Sequence, residues 1–230
     1  MTLELAVRIA EIVLGVAIFQ QSIEFVRGIQ PEKTLGFIRA LFAILLTAGI
    51  QPLLVETALV VTSIILIRRF RGPYNGGSDT MTMLVLGCLW LSHLAPSRYW
   101  QEIAVGYLAI QLILSYFQSG WVKVVNAQWR SGEALQQVFA VSAYPVSHQV
   151  RLLARRPALL LYMSWAVIIF ELVFPLALLH QTLLIIALVV AGLFHLANAW
   201  LFGLNRFFWI WPAAYPIIIW FQSRLMVALQ

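Results

Sequence analysis

The chain has 230 residues, 62% of them hydrophobic and 10% charged, with a mean hydropathy of +0.88. Soluble domains run about 45–50% apolar and about 25% charged, so a soluble fold is excluded and the solvent around this chain is lipid. The net charge of +6 does not point to nucleic acid, because the basic residues fall between apolar runs and read as topology determinants.

A membrane-crossing helix needs about 20 mostly apolar residues. In chain order the candidates are residues 5–26, 35–50, 53–67, 80–95, 103–125, 158–179, 182–204 and 207–221. The expected fold is therefore all-α: a polytopic transmembrane bundle of seven or eight helices, one transmembrane domain over 1–230 with no soluble domain. The first stretch carries Arg8, Glu11, Gln20, Gln21 and Glu24 and fits an interfacial helix as well as a span. Its early charges also interrupt the apolar region that a cleavable signal peptide needs. The second and third stretches are short, with Gln51-Pro52 as their turn. Residues 68–77 form a basic, Gly-rich loop. Residues 126–157 are the longest polar stretch, within which 132–143 reads as a short amphipathic helix stopped near Pro145. Residues 209–220 are rich in Trp and fit an aromatic belt at the membrane surface.

Orientation follows from the Lys/Arg bias of short loops. With eight spans and the 68–71 loop inside, Arg27, Lys33, Arg39, Arg68, Arg69, Arg71, Arg130, Arg151, Arg155, Arg156 and Arg206 fall on the cytoplasmic side. Only Arg8, Arg98 and Arg224 fall outside. The absence of an Arg- and Ser-rich leader favours a bacterial plasma membrane. The single cysteine, Cys88, makes nothing here depend on an oxidising compartment.

Ionisable residues at membrane depth usually face a cavity or one another. Here they are Glu11, Glu24, Glu56, His93, Lys123, Glu171 and His195, with His180 and Arg206 near helix ends. Two readings stand for Lys123. A neutral lysine amine in a low dielectric is a competent base; alternatively, the side chain snorkels to water or pairs with a carboxylate such as Glu171. His195 and Asn198, three apart on one helix face, suit a ligand site or a bond to a neighbouring helix. His93 and His180 suit structural roles, although intramembrane histidine also ligates haem or chlorophyll magnesium. No Cys/His group has metal-ligand spacing, so no metal is expected.

The end of the fifth stretch reads Tyr116-Phe117-Gln118-Ser119-Gly120-Trp121-Val122-Lys123, followed by Trp129-Arg130-Ser131-Gly132. This Y-x-x-S-G-x-x-K and W-x-x-G pattern resembles the horizontally transferred transmembrane domain family, which includes the membrane part of vitamin K-dependent γ-glutamyl carboxylase. Phe194-His195-Leu196-Ala197-Asn198 resembles the family's F-H-x-x-N. Tyr74-Asn75-Gly76-Gly77-Ser78 is similar to its aromatic-Asn loop, with Gly77 where the carboxylase has histidine. The matches run in the family's order and outline a core over about 70–205. The resemblance implies Lys123 as a base toward a reduced quinone, in carboxylase- or lyase-like chemistry. It also implies a cavity lined by His195 and Asn198, with Tyr116, Trp129 and Asn75 as further ligand-binding residues.

Two functions follow. One is an enzyme-like membrane protein with a cavity for a quinone-like or other lipid-soluble molecule. The other is a non-catalytic accessory subunit of a larger integral membrane complex, packed against other membrane chains and in contact with pigment or quinone. The bilayer is the one partner common to both.

Overall fold

The computed structural model describes residues 1–27, 32–69, 76–140 and 148–228, and these are helical nearly throughout. In chain order the α-helices are α1 (Leu3–Val26), α2 (Glu32–Ala48), α3 (Pro52–Arg69), α4 (Gly76–Leu94), α5 (Arg98–Val125), α6 (Ala127–Arg130), α7 (Glu133–Ala140), α8 (His148–Arg151), α9 (Pro157–Val173), α10 (Gln181–Phe202), α11 (Asn205–Ile210) and α12 (Tyr215–Ala228). Short 3₁₀ turns cover Leu152–Arg155, Phe174–Leu179 and Trp211–Ala214. The expected Tyr74-Asn75 loop and the stop at Pro145 lie outside the described residues. The helix expected over 132–143 is seen as α7.

Among the described residues, three stretches are long and apolar enough to cross a membrane: Arg98–Val125, Pro157–Leu179 and Gln181–Phe202. The other expected spans differ for identifiable reasons. Helix α2 has only 17 residues, near the lower limit for crossing; α3, with 18, carries Glu56, Arg68 and Arg69, and α4 opens on the polar run Ser78, Asp79 and Thr80. Helix α1 is a continuous 24-residue helix but carries Glu4, Arg8, Glu11 and Glu24. The stretch expected over 207–221 is not one helix. Pro212 and Pro216 lack the amide hydrogen that continues a helical ladder, and a 3₁₀ turn separates α11 from α12. Trp220 of this aromatic stretch is a core residue, 3% exposed, rather than part of a surface belt.

The chain forms two compact units, Met1–Ile110 with Arg206–Gln230, and Gln111–Asn205; the division falls within α5. In the first unit, α1 starts on Thr2, whose hydroxyl accepts the Leu5 N–H, and runs antiparallel to α2. Glycine permits their close approach at both ends. A Cβ on Gly15 would lie 2.9 Å from the Ala43 carbonyl oxygen, and one on Gly36 would lie 2.8 Å from the Val26 nitrogen. Leu14, Ile18, Leu46, Leu59, Leu86 and Leu89 fill the core between α1 and α4.

Two arginines of this unit anchor polar networks between its helices. Arg39, counted above among the loop cations, is 1% exposed. Its guanidinium donates to Ser63 Oγ at 2.7 Å, Thr62 Oγ1 at 3.1 Å and Gln21 Oε1 at 3.1 Å. Gln21 donates in turn to Asp79 Oδ1 at 2.8 Å. Arg206 pairs with Glu24 at 2.7 Å and Asp79 at 3.4 Å, and its guanidinium lies over the Phe25 ring.

The second unit packs the end of α5 with α6–α10. Leu135 and Phe139 of α7 form an apolar core cluster with Leu160 and Phe202, the Phe139 and Phe202 rings 4.9 Å apart. Helix α9 gives way to 3₁₀ geometry at Phe174, beside Pro175. His180 then caps α10, its Nδ1 accepting the Thr182 N–H at 3.2 Å, which gives this histidine a structural role. Helix α10 ends at Gly203, whose left-handed φ of 70° lets the Leu204 N–H reach back to the Asn198 carbonyl.

Candidate functional site

Tyr116, Ser119, Gly120 and Lys123 recur at i, i+3, i+4 and i+7, so α5 presents them along one face. Each meets a specific neighbour. Lys123 Nζ donates to both carboxylate oxygens of Glu171 on α9, at 2.9 and 2.6 Å, and to Ser119 Oγ at 2.6 Å. Ser119 also donates to Glu171 Oε1 at 3.1 Å. The Lys123 side chain is 15% exposed and that of Glu171 4%. Of the two readings of Lys123, pairing with Glu171 is the observed geometry.

Gly120 makes this contact possible. A Cβ there would stand 2.8 Å from the Leu172 nitrogen and 3.0 Å from Glu171 Cβ. Only glycine lets α5 approach the α9 backbone closely enough for a lysine one turn away to clasp Glu171. One turn in the other direction, Tyr116 is 3% exposed. Its hydroxyl shares a 2.9 Å hydrogen bond with His195 Nε2 on α10. The Tyr116 ring stacks on Phe174 at a centroid distance of 4.1 Å and meets Phe170 edge-on. Phe194 extends this aromatic group through Phe170 and His195.

The W-x-x-G segment lies beside the lysine. Lys123 Nζ sits 5.3 Å from the Trp129 ring centroid, a cation–π distance. The Trp129 carbonyl accepts the Ser164 hydroxyl at 2.5 Å, and Trp165 Nε1 donates to the Arg130 carbonyl at 3.1 Å. Both bonds fix the α6 turn on α9. Gly132 closes the turn with φ of 79°, against Leu161. Every fixed position of the two motifs thus has a packing or bonding reason.

The structure brings Lys123 and Trp129 together around Glu171, and Tyr116 together with His195. Asn198 is half-buried, and its backbone carbonyl serves the end of α10. Asn75 lies outside the described residues. Ser119, a fixed position of the motif that carried no expected site role, belongs to the site, and so does Phe174, which the sequence did not single out. Glu171 entered there only as a lysine partner, although a lone carboxylate in the strongly apolar α9 was the available signal.

A helical domain whose long apolar helices bury a lysine–carboxylate pair between them has the make-up of an integral membrane domain. The profile of the HTTM domain matches residues 94–222, more than half of the chain, and the chain belongs to that family of vitamin K-dependent carboxylase-like transmembrane domains. The match takes in the Lys123 and His195 motifs and begins beyond the 74–78 loop. No curated protein and no solved structure matches the chain.

Proposed function

We propose that this protein is a multi-pass membrane protein that binds a lipid-soluble molecule with an acidic proton, such as a reduced quinone (a quinol), at the Lys123 end of α5 and takes that proton through the Lys123–Glu171 pair. The observation that carries this reading is the pair itself: both carboxylate oxygens and Ser119 Oγ converge on one amine. Loss of water disfavours the charged forms of an amine and a carboxyl group alike, which favours a neutral pair of amine and carboxylic acid relative to its balance in water. In the neutral form Lys123 accepts a proton from the bound acid, giving an ammonium and the acid's anion. Ser119 and Glu171 keep the amine aimed, and Trp129 offers its ring to the cation. Tyr116, His195 and Asn198 belong to the same unit and are proposed to shape the rest of the cavity.

The family resemblance supports lysine as the base, and a carboxylase- or lyase-like reaction is one use of such a base. The apolar α1–α4 helices and the broken C-terminal stretch are proposed to complete seven or eight membrane passes, with the Lys/Arg-rich loops cytoplasmic in a bacterial plasma membrane. The accessory-subunit reading would draw on the exposed apolar side chains of α9 and α10, such as Tyr162 and Trp200. Lipid covers such a face equally well, whereas the lysine pair is an observation that favours ligand chemistry.

The test is purification in mild detergent, with organic extraction and mass spectrometry of the bound lipophilic molecules, for the wild type and for Lys123→Met. A quinone-like or acidic lipid retained by the wild type and lost from the variant is the expected result. Equal retention by both proteins, or retention by neither, would overturn the proposal.

A further inference from the structure

A second group of ionisable side chains lies in the first unit, outside the stretch matched by the family profile. Glu11 of α1, Glu56 of α3 and His93 of α4 come from three helices and place their ligand atoms within 4.8 Å of one another. His93 Nε2 is 2.7 Å from Glu11 Oε1 and 3.8 Å from Glu56 Oε2. Metal–oxygen and metal–nitrogen bonds of about 2.0–2.2 Å put tetrahedral ligands roughly 3.3 Å apart. The two observed separations bracket that value, so small side-chain movements would admit an ion.

A separate observation points the same way. Glu56 is fully buried, and neither of its carboxylate oxygens accepts a hydrogen bond. Leaving a buried acceptor unsatisfied costs about 1–3 kcal/mol, and more for a charged group. The nearest cationic partner is His93, at a distance too long for a hydrogen bond. Glu11 is differently placed. Its Oε2 accepts from Arg8 at 2.8 Å, and Arg8 is anchored on the Leu46 and Thr47 carbonyls at 2.9 and 2.6 Å. That arrangement leaves Oε1 free to turn toward His93 and is the outer-shell support that metal-binding carboxylates commonly have.

We infer that Glu11, Glu56 and His93 form a binding site for a divalent transition-metal ion of the zinc class, tying α1, α3 and α4 together. The donor set of one imidazole and two carboxylates suits zinc, manganese or ferrous iron. Three protein ligands leave a coordination position for water or another ligand. The His93 side chain, 28% exposed, is the side from which the ion enters. No sequence spacing announces the site, because each helix contributes one ligand.

The experiment uses the full chain in detergent, purified without a polyhistidine tag, stripped with a chelator and reloaded with zinc. Bound metal is measured by mass spectrometry after desalting, with His180→Gln as the control. The expected result is about one zinc ion per chain in the wild type and the control, with binding weakened more than about a hundredfold in Glu56→Gln and His93→Gln. A wild type that binds no zinc, or variants that bind as the wild type does, would overturn the inference. Should the variants fail to fold, histidine modification of the wild type with diethylpyrocarbonate decides. Zinc must then protect His93 and leave His180 reactive; equal reactivity of His93 with and without zinc refutes the site.

Discussion

Replacing Lys123 by Met keeps the length and apolar stem of the side chain and removes only the ammonium. The variant loses three donor contacts, two to Glu171 and one to Ser119. Glu171, 4% exposed, then keeps only the Ser119 hydroxyl. Breaking a buried ion pair from one side costs about 3–5 kcal/mol, because it strands the other charge; an exposed pair contributes only about 0–1 kcal/mol. The burial of both groups selects the larger figure, roughly a hundredfold change in the folding equilibrium for every 3 kcal/mol. Replacing both partners by apolar side chains of similar volume is often neutral or stabilising. The double variant Lys123→Met/Glu171→Met should therefore return to within about 1 kcal/mol of the wild type. Reversible unfolding in mixed detergent–SDS micelles measures all four corners of the cycle. A single-variant loss below about 1 kcal/mol, or simple addition of the two single losses, would refute the buried-pair argument.

Three further outcomes follow from the packing. Gly120→Val should lower stability by about 1–3 kcal/mol, since its side chain meets the Leu172 backbone, and should cost ligand retention along with Lys123→Met; an unchanged melting temperature would contradict the observed α5–α9 approach. Gly132→Ala combines a left-handed φ with a Cβ 2.9 Å from Leu161 Cα, and a loss of about 2 kcal/mol is expected; unfolding at wild-type denaturant would show that the turn relaxes without cost. Tyr116→Phe removes the buried bond to His195 and should cost about 1–2 kcal/mol, less than Lys123→Met, a ranking that the same micelle titration checks.

Much of the site was legible because its residues are local. Tyr116, Ser119, Gly120 and Lys123 share a helix face by spacing alone, and Trp129 follows after one short turn. Glu171, Phe174 and the aromatic packing on Tyr116 were harder to read, because an apolar helix shows which residues are unusual but not which neighbour they meet. Arg39 shows the same limit in reverse. Its charge reads as a loop cation, yet Gln21, Thr62 and Ser63 from two other helices supply enough acceptors to bury it.

The sequence by itself determined the solvent, the helical class and the family. These depend on average apolarity, on helical periodicity and on a motif within a few turns of one chain segment. Tertiary structure decided the pairings: Lys123 with Glu171, Tyr116 with His195, Arg206 with Glu24 and Asp79, and Glu11 and Glu56 with His93. Each joins residues far apart in sequence, and each exists because a charge or polar group away from water needs a partner that only packing against another helix can supply. Tertiary contacts also explain the glycines. Gly15, Gly36 and Gly120 are unremarkable inside a helical pattern until a neighbouring backbone comes within about 3 Å of where a side chain would begin.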